Sequence, residues 1–563
     1  MPMQSHSSCR SQRCSDNASS AVGRWIATRW PRVGILAGGC VALAWLLLRT
    51  GSKPTRCVYP CQQAAFSAAS FAFGATIVSA LLALRRGIAR RPRQVCSAAL
   101  AFVGITAAAS TWNHARELVP DVPLRTPRAD YRAEVFHVSD CPQDPVGDRF
   151  VGLDNLLTTM GRAGLKLYRS EHASLLAGTD GIIAAGDVVL IKINYQWGDR
   201  GGTNVDLLRG LIHRLLAHPD GFAGEVVVCE NAQFNATSNL DRSANNAQDT
   251  TLSPHDVVEA FRQAGAPVSH YDWTDIRSVP AGEYSTGDLT DGYVLYDYDA
   301  RWLGKLSYPK FRTADGTYIS LRDGVWDPVS ATYDRTRLKL INLPVLKSHH
   351  AVYGMTGCVK HYMGVVTIYQ GTNAHGGVAY GALGALMGEL GPPDLNILDC
   401  IWVGGDPYVG PAFTYAQSTR RDELVASLDP VAADIWAARN ILIPTFLANG
   451  YTPPWPTPSA DPDDPAGKFR QYLDRSMSYL LAAGYDVTND PAAIDTYSGT
   501  ARFDADGDGD VDLRDGAALQ RCAGAVGTLP PECSRLDVDA SGLLDAADME
   551  RFAQSLTGPA ILP

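Results

Sequence analysis

The spacing of apolar and polar residues divides the chain into four stretches. Three apolar runs open it, Val33–Leu48, Ala64–Leu84 and Val95–Trp112. The second is uncharged and long enough to span a hydrocarbon core of about 30 Å, the third is just adequate, and the first is short. Read together they predict a three-helix membrane anchor over residues 33–112, with a cleaved signal peptide as the alternative for the first run. From about residue 130 the rhythm changes. Val188–Ile193 is apolar throughout except for Lys192, as a strand buried on both faces requires. Thr203, with Asp206 three residues on, predicts the start of a helix over Val205–Ala217. Further strands are expected at Glu225–Cys229, Leu338–Leu346, Leu395–Val403 and Leu424–Leu428, the last leading through Asp429-Pro430 into a helix Val431–Ile441.

Strands alternating with helices predict an α/β domain with a mostly parallel sheet over residues 130–450. The Asp-, Tyr- and Gly-rich stretch 233–335 breaks the alternation and reads as an insertion with short β-elements. Residues 451–500, rich in Pro and Asp at their start, read as a linker containing one short helical region, Lys468–Ala483. Residues 501–558 hold two loops, each followed by one helix-like run (Leu513–Cys522, Ala546–Leu556), and predict a small all-α domain.

Charge orients these parts. Residues 1–93 contain 13 Lys/Arg against one acid, Asp16, a net of +12; with −10 overall, the remainder carries −22. Five arginines precede the first apolar run and five more separate the second from the third, which places residues 1–32 and the second connecting loop in the cytoplasm. The expected localisation is a multi-pass cell membrane protein whose large C-terminal part is extracytoplasmic. Cys57 and Cys61 would lie in the outer loop, where they could pair. An acidic exported body argues against a nucleic-acid partner. The 12 cysteines form neither an iron–sulfur run nor a zinc ribbon.

The two C-terminal loops carry the most specific chemistry. One runs Asp504, Asp506, Asp508, Gly509, Asp510, Asp512, Asp515; the other, 33 residues later, runs Asp537, Asp539, Ser541, Gly542, Leu543, Asp545, Asp548. Oxygen side chains fall at positions 1, 3, 5, 9 and 12, glycine at 6 and an aliphatic residue at 8 (Val511, Leu544). Calcium takes six to eight oxygen ligands, and this spacing wraps them around one point, so two calcium ions are expected. Cys522 and Cys533 flank the connection and could close a disulfide loop, which would mean an oxidising compartment.

A second set of polar residues sits where ligands gather in open α/β sheets, beyond the carboxyl ends of the strands. Lys192 and Asn194 end one strand and Glu230 and Asn231 the next. Lys347, Ser348, His349 and His350 follow another, then Lys360 and His361; Asp399 and Asp406 follow the fourth. Three lysines on one rim point to a small anionic ligand, a phosphate or carboxylate. Histidines beside carboxylates could move protons or hold a transition metal, which the residues leave unknown. A lysine at a strand end can equally be a structural ion pair, and Asp429 is most simply a helix N-cap. There is no nucleophile elbow, phosphate-binding loop or HExxH motif.

Two family resemblances rest on these residues. Loop–helix, linker, loop–helix with Asp at position 12 and no helix before Asp504 resembles the type I dockerin module. That implies calcium-dependent docking to a cohesin-type partner, in a setting of polysaccharide catabolism. Residues at loop positions 10 and 11 would face the partner: Leu513 and Arg514 in one repeat, Ala546 and Ala547 in the other. Separately, the stretches 189–194, 343–349, 355–364, 394–399, 410–411 and 428–434 resemble domain-of-unknown-function family 362 over about residues 185–445. The family's motif residues map to Lys192, Asn194, Lys347, His349, Thr356, Lys360 and Asp429; His361 stands where the family usually has Asn, and its frequent ferredoxin-like segment is missing. Two functions are therefore expected side by side. One is a membrane-anchored docking protein displaying an α/β domain. The other is an enzyme acting on a small anion through Lys192, Asn194, Lys347, His349 and Lys360.

Overall fold

Strands that are apolar on both faces need helices above and below them, and Val188–Ile193, buried at every residue, lies at the centre of such a sheet. The computed structural model describes residues 40–42, 44, 45, 48 and 123–558, apart from 143–146, 234–239, 249, 300–303, 350–352, 369–373, 456–458, 524–528, 530–532, 534–535, 539–540 and 557. The chain divides into two units, Met1–Asp121 and Val122–Pro563. In the first, only residues within 40–48 are described, and they are helical. The cytoplasmic segment 1–32, the expected spans 64–84 and 95–112 and the rest of 33–48 lie outside the described residues. Among those described, one helical stretch, Pro430–Ala448, is long and apolar enough to cross a membrane, but 61% of it is buried within the protein. It is a core element.

In the second unit the chain enters through β1 (Ala133–Ser139) and helix α1 (Val151–Ala163). Three two-residue strands, β2 (Tyr168–Arg169), β3 (Ala177–Gly178) and β4 (Ile183–Ala184), form a small sheet of their own. A β–α–β–α–β run follows: β5 (Val188–Ile193), α2 (Val205–Leu216), β6 (Glu225–Glu230), α3 (Pro254–Gln263) and β7 (Val268–Asp272). An antiparallel five-stranded sheet then interrupts, built of β8 (Gly292–Asp299), β9 (Gly304–Arg312), β10 (Tyr318–Ser320), β11 (Gly324–Asp327) and β12 (Thr332–Asp334). The main sheet resumes with β13 (Leu338–Leu343), β14 (Val345–His349), β15 (Gly354–Thr356), the short helix α4 (Cys358–His361), α5 (Ala382–Leu390), β16 (Leu395–Gly404), β17 (Thr419–Ser427) and α6 (Pro430–Ala437). Helix α7 (Lys468–Ala482) and strand β18 (Ile494–Thr500) complete it, and α8 (Leu513–Cys522) and α9 (Ala546–Ser555) close the chain.

The main sheet runs β18-β1-β17-β16-β13-β5-β6-β7, with β14 beside β16. On that path β17 alone is antiparallel to its neighbours. Alternation along β5 sends Val188 and Leu190 to one apolar core and Val189, Ile191 and Ile193 to the other. Helices α5, α6 and α7 cover the first face; α1, α2 and α3 cover the second. From β5 the chain steps outward to β6 and β7, and from β13 it steps the other way to β16. The sheet's topological switch point therefore lies between β5 and β13.

Several expectations are corrected. The insertion is narrower than 233–335, because α3 and β7 continue the parallel β–α–β winding and only β8–β12 leave it. The expected strand 338–346 is broken at Pro344, where a missing N–H ends one ladder and starts another. Residues 451–500 are not a linker: Phe469, Tyr472, Leu473 and Leu480 of α7 are fully buried, and β18 pairs with β1 along seven residues. The cap of α2 is Asn204, which accepts from Asp206 and Leu207 N–H, whereas Thr203 Oγ1 accepts from Asn194 N–H and donates to Leu343 O, tying β5 to β13.

The C-terminal residues have their own core, in which the position-8 residues Val511 and Leu544 meet Phe503, Leu519 and Phe552. The Cys522–Cys533 disulfide closes the connection between the two repeats. Helices α8 and α9 begin in the same way. Asp512 and Asp545 cap them, and the position-12 carboxylates Asp515 and Asp548 reach back to the N–H of the capping residue. This core does not stand apart, because Asn155 of α1 donates to Asp504 (2.7 Å) and Arg162 donates to Gly558 O (2.9 Å).

Helices α1 and α2 are joined through Asp154, fully buried, which receives Arg214 at 2.5 Å and Arg149 at 2.7 Å. Removing one partner of a buried pair strands the other charge. Asp154→Ala is expected to lower stability by about 3–5 kcal/mol, read by chemical denaturation; a loss below about 1 kcal/mol would contradict a buried ion pair here.

Candidate functional site

The carboxyl ends of β5, β6 and β14 meet α4 at the switch point and line an open cleft. Lys192, Asn194, Lys347, His349 and Lys360, the five residues expected from sequence, all line it, together with Thr356. Asp429 does not. It caps α6, accepting from Val431 and Ala432 N–H, and also receives Thr488 N–H. Residues not singled out as its working groups also line the cleft: Gln196, Trp197, Glu230, Gln233, His361, Met363, Gly364 and Pro411. Glu230 was legible as a strand end and His361 as a family departure. Gln233 and Trp197 carried no signal in the sequence. His350 lies outside the described residues.

Lys192 is the fixed point. Its Nζ donates to Glu230 Oε2 (2.8 Å) and to Ile193 O (2.8 Å) and lies 2.9 Å from His361 Nε2. The other side of His361 is held by Asn342. The Asn342 amide donates through Nδ2 to Cys358 O and Asn396 Oδ1, so its Oδ1 accepts from His361 Nδ1 (2.7 Å). Nδ1 thus faces an acceptor, while Nε2 lies 2.9 Å from a donor, Lys192 Nζ, and 2.9 Å from an acceptor, Ile193 O. Burial, then the Lys192 charge, hold His361 far below the usual histidine range, consistent with a neutral ring. Burial also draws Lys192 down and Glu230 up, and each one's charge opposes the other's shift. Glu230 Oε2 and Ile193 O both accept from Nζ, which favours the ammonium form.

Two glycines permit this packing. A Cβ on Gly364 would stand 2.4 Å from Lys192 Cε and Nζ, and one on Gly357 would stand 2.1 Å from Asp434 Oδ1. Asp434, buried on α6, accepts from Cys358 N–H (2.6 Å) and Val359 N–H (3.1 Å) and so anchors the start of the helix that carries Lys360 and His361. Burial pushes its carboxyl up to about 7.

The other two lysines are less engaged. Lys347 Nζ donates to Gly201 O (2.6 Å), and Lys360 Nζ lies 4.9 Å from the centre of the Tyr353 ring. Each is held down to about 7, in both cases chiefly by burial. His349 pairs through Nδ1 with Thr356 Oγ1 (2.8 Å), and burial plus the Lys360 and Lys347 charges keep it neutral. The side-chain oxygens of Asn194 and Gln233 are buried without a hydrogen bond among the described residues. The cleft thus holds one locked ion pair, two lysines that titrate near neutrality, a neutral imidazole and two carboxamides with acceptor capacity to spare.

These features define a three-layer α/β protein with a lysine-rich cleft at its switch point. Residues 336–439, running from β13 through α6, carry the domain described as Domain of unknown function (DUF362). That span includes Lys347, His349, Thr356, Lys360 and Asp429, and leaves Lys192 and Asn194 outside it. No curated protein matches the chain, and no solved structure does.

Glu230 is the sole carboxylate lining the cleft among the described residues. Glu230→Gln is expected to cost about 3–5 kcal/mol by leaving Lys192 buried without a counter-charge, and adding Lys192→Met should recover most of it. Additive losses in denaturant titrations would show that the two residues are not coupled.

Proposed function

We propose that the cleft binds a small anion, a phosphate or carboxylate bearing a hydrogen-bond donor, and that the α/β unit is an enzyme acting on it. The observation that carries this reading is the pair Lys347 and Lys360, both buried in one cleft and both titrating at about 7. An anion entering the cleft stabilises the ammonium forms and draws protons onto them. A lysine poised near neutrality also accepts and returns a proton within a turnover. Lys360 supplies charge to the anion and Lys347 is the proton carrier. His349, neutral, is an acceptor. Asn194 and Gln233 receive the donor on the substrate. Lys192, committed to Glu230 and Ile193 O, shapes the cleft and does not contact the ligand.

The sign of the pH dependence follows. Both lysines are charged below about 7 and lose charge above it, so affinity for an anion is high in mild acid and falls as pH rises. Sulfate and acetate do not titrate in this window and serve as phosphate-like and carboxylate-like probes. Dissociation constants from calorimetry on the full-length protein should rise by up to about tenfold per pH unit per proton taken up, between about pH 7 and pH 9. Lys360→Met should flatten the curve; a flat wild-type profile, or no binding of either ion, would overturn the reading.

A second reading concerns the C-terminal repeats, and a specific observation favours it. Carboxylate oxygens of Asp504, Asp506 and Asp508 lie within 4.8 Å of one another, and so do those of Asp510, Asp512 and Asp515. Burial, with the Asp515 and Asp508 charges adding to it, pushes Asp504 up to about 7, a crowding that a divalent cation relieves. In the second loop Asp537 accepts from Ser541 and Gly542 N–H and Asp548 from Val538 and Asp545 N–H, while Asp539 lies outside the described residues. We infer that two calcium ions fill the two loops and order the module for a cohesin-type partner, in a setting of polysaccharide catabolism. In this reading the N-terminal helices anchor the chain in the cell membrane with the α/β and calcium-loop parts outside, where the Cys522–Cys533 disulfide is stable. Calorimetry on the full-length protein should find uptake of about two calcium ions, with one lost in Asp515→Ala and one in Asp548→Ala. Equal uptake in wild type and the double variant would remove the basis for docking.

A further inference from the structure

A third group of chemistry-bearing side chains lies away from the cleft and from the calcium loops. Ser253 caps α3 in a two-way capping box with Asp256, which fixes the first turn. His255 and Glu259, four residues apart, therefore share one side of the helix, while Val257 and Val258 pack into the core. Strand β7 lies beside α3 and brings up His270, whose ring stands edge-on to that of His255 at 4.8 Å between centroids. One nitrogen from each imidazole and one Glu259 oxygen all lie within 4.8 Å of one another. Asp241 stands 3.9 Å from Nδ1 of His255.

Packing does not account for this convergence. Buried imidazoles and carboxylates hold a hydrogen-bond partner, and partly exposed ones also reach water. Among the described residues none of the three side chains makes a hydrogen bond, and Asp241 is beyond bonding distance from His255.

We propose that His255, Glu259 and His270 form a divalent transition-metal site, with zinc the metal that fits it. Two imidazoles and one carboxylate suit zinc and not calcium or magnesium, which prefer oxygen alone. Zinc bonds of about 2.0–2.1 Å place ligand atoms roughly 3.3 Å apart, so small side-chain rotations close the set. All three residues are partly exposed, which gives the ion an entry path. It also leaves a fourth position for water or for Asp241, the pattern of an open site.

The test uses full-length protein without a histidine tag, stripped with chelator and held in excess calcium so that the acidic loops do not compete. Zinc is titrated, the protein desalted and bound metal counted by elemental mass spectrometry; cobalt is titrated in parallel for the visible absorption of a four-coordinate site. Wild type should retain one zinc more than His255→Ala or His270→Ala, and His349→Ala in the cleft should match wild type. Glu259→Gln, which preserves shape, should weaken zinc by at least about tenfold and guards against loss of fold in the histidine variants. Wild type that retains no zinc, or a His255→Ala/His270→Ala double variant that retains as much as wild type, would overturn the site.

Discussion

The cleft depends on a single buried ammonium. Lys192 is the next-to-last residue of an otherwise apolar strand, 1% exposed, where an unpaired charge would be intolerable. Glu230 on the next strand and the carbonyl of Ile193 answer that cost, and His361 on α4 lies beside them. His361 Nδ1 is held by Asn342, and the Asn342 amide is directed by Asn396, which in turn donates to Ser427 O. One hydrogen-bonded line therefore crosses from β6 through β5, α4, β13 and β16 to β17. The line ties together the elements that form the cleft.

That line also separates the three lysines by role. Lys192 keeps its charge because acceptors surround it. Lys347 and Lys360 have fewer partners, and burial leaves them close to neutrality in proton affinity. One cleft thus contains a permanent charge that is fully engaged and two conditional charges that are not. Asp434 extends the arrangement to the opposite layer, since its grip on Cys358 and Val359 N–H holds Lys360 in place from α6.

Much of this was legible because the strands that build it are central. A central strand must be apolar on both faces, so Lys192, Asn194 and Lys347 stood out as polar residues at the ends of apolar runs, and the fold brings them together with Lys360 of α4. Edge elements obey a weaker rule. β18 reads Ile-Asp-Thr-Tyr-Ser-Gly-Thr, is half exposed, and needs only β1 for company, so nothing in its pattern distinguished it from a linker. The pairing of Lys192 with Glu230 was hidden for a different reason: two strand ends 38 residues apart become neighbours only once the parallel register is known. The same holds for His255, Glu259 and His270. The helical pair was present in the sequence, but the third residue sits on a strand inside a stretch that read as an insertion.

Strand β18 changes how the C-terminal repeats relate to the α/β unit. A flexible linker would let the repeats move independently of the sheet. Instead β18 is stitched to β1, Thr500 leads within four residues to Asp504, and that first loop residue is already held by Asn155 from α1. Asn155 lies one residue beyond Asp154, whose pairing with Arg214 joins α1 to α2. The position of Asp504 is thus set by the same helix that packs the sheet, and not by the loop alone. A cation drawing in Asp504 would act on a carboxylate that the α/β layer already orients, so ordering of the first loop and packing of α1 must share part of their free energy.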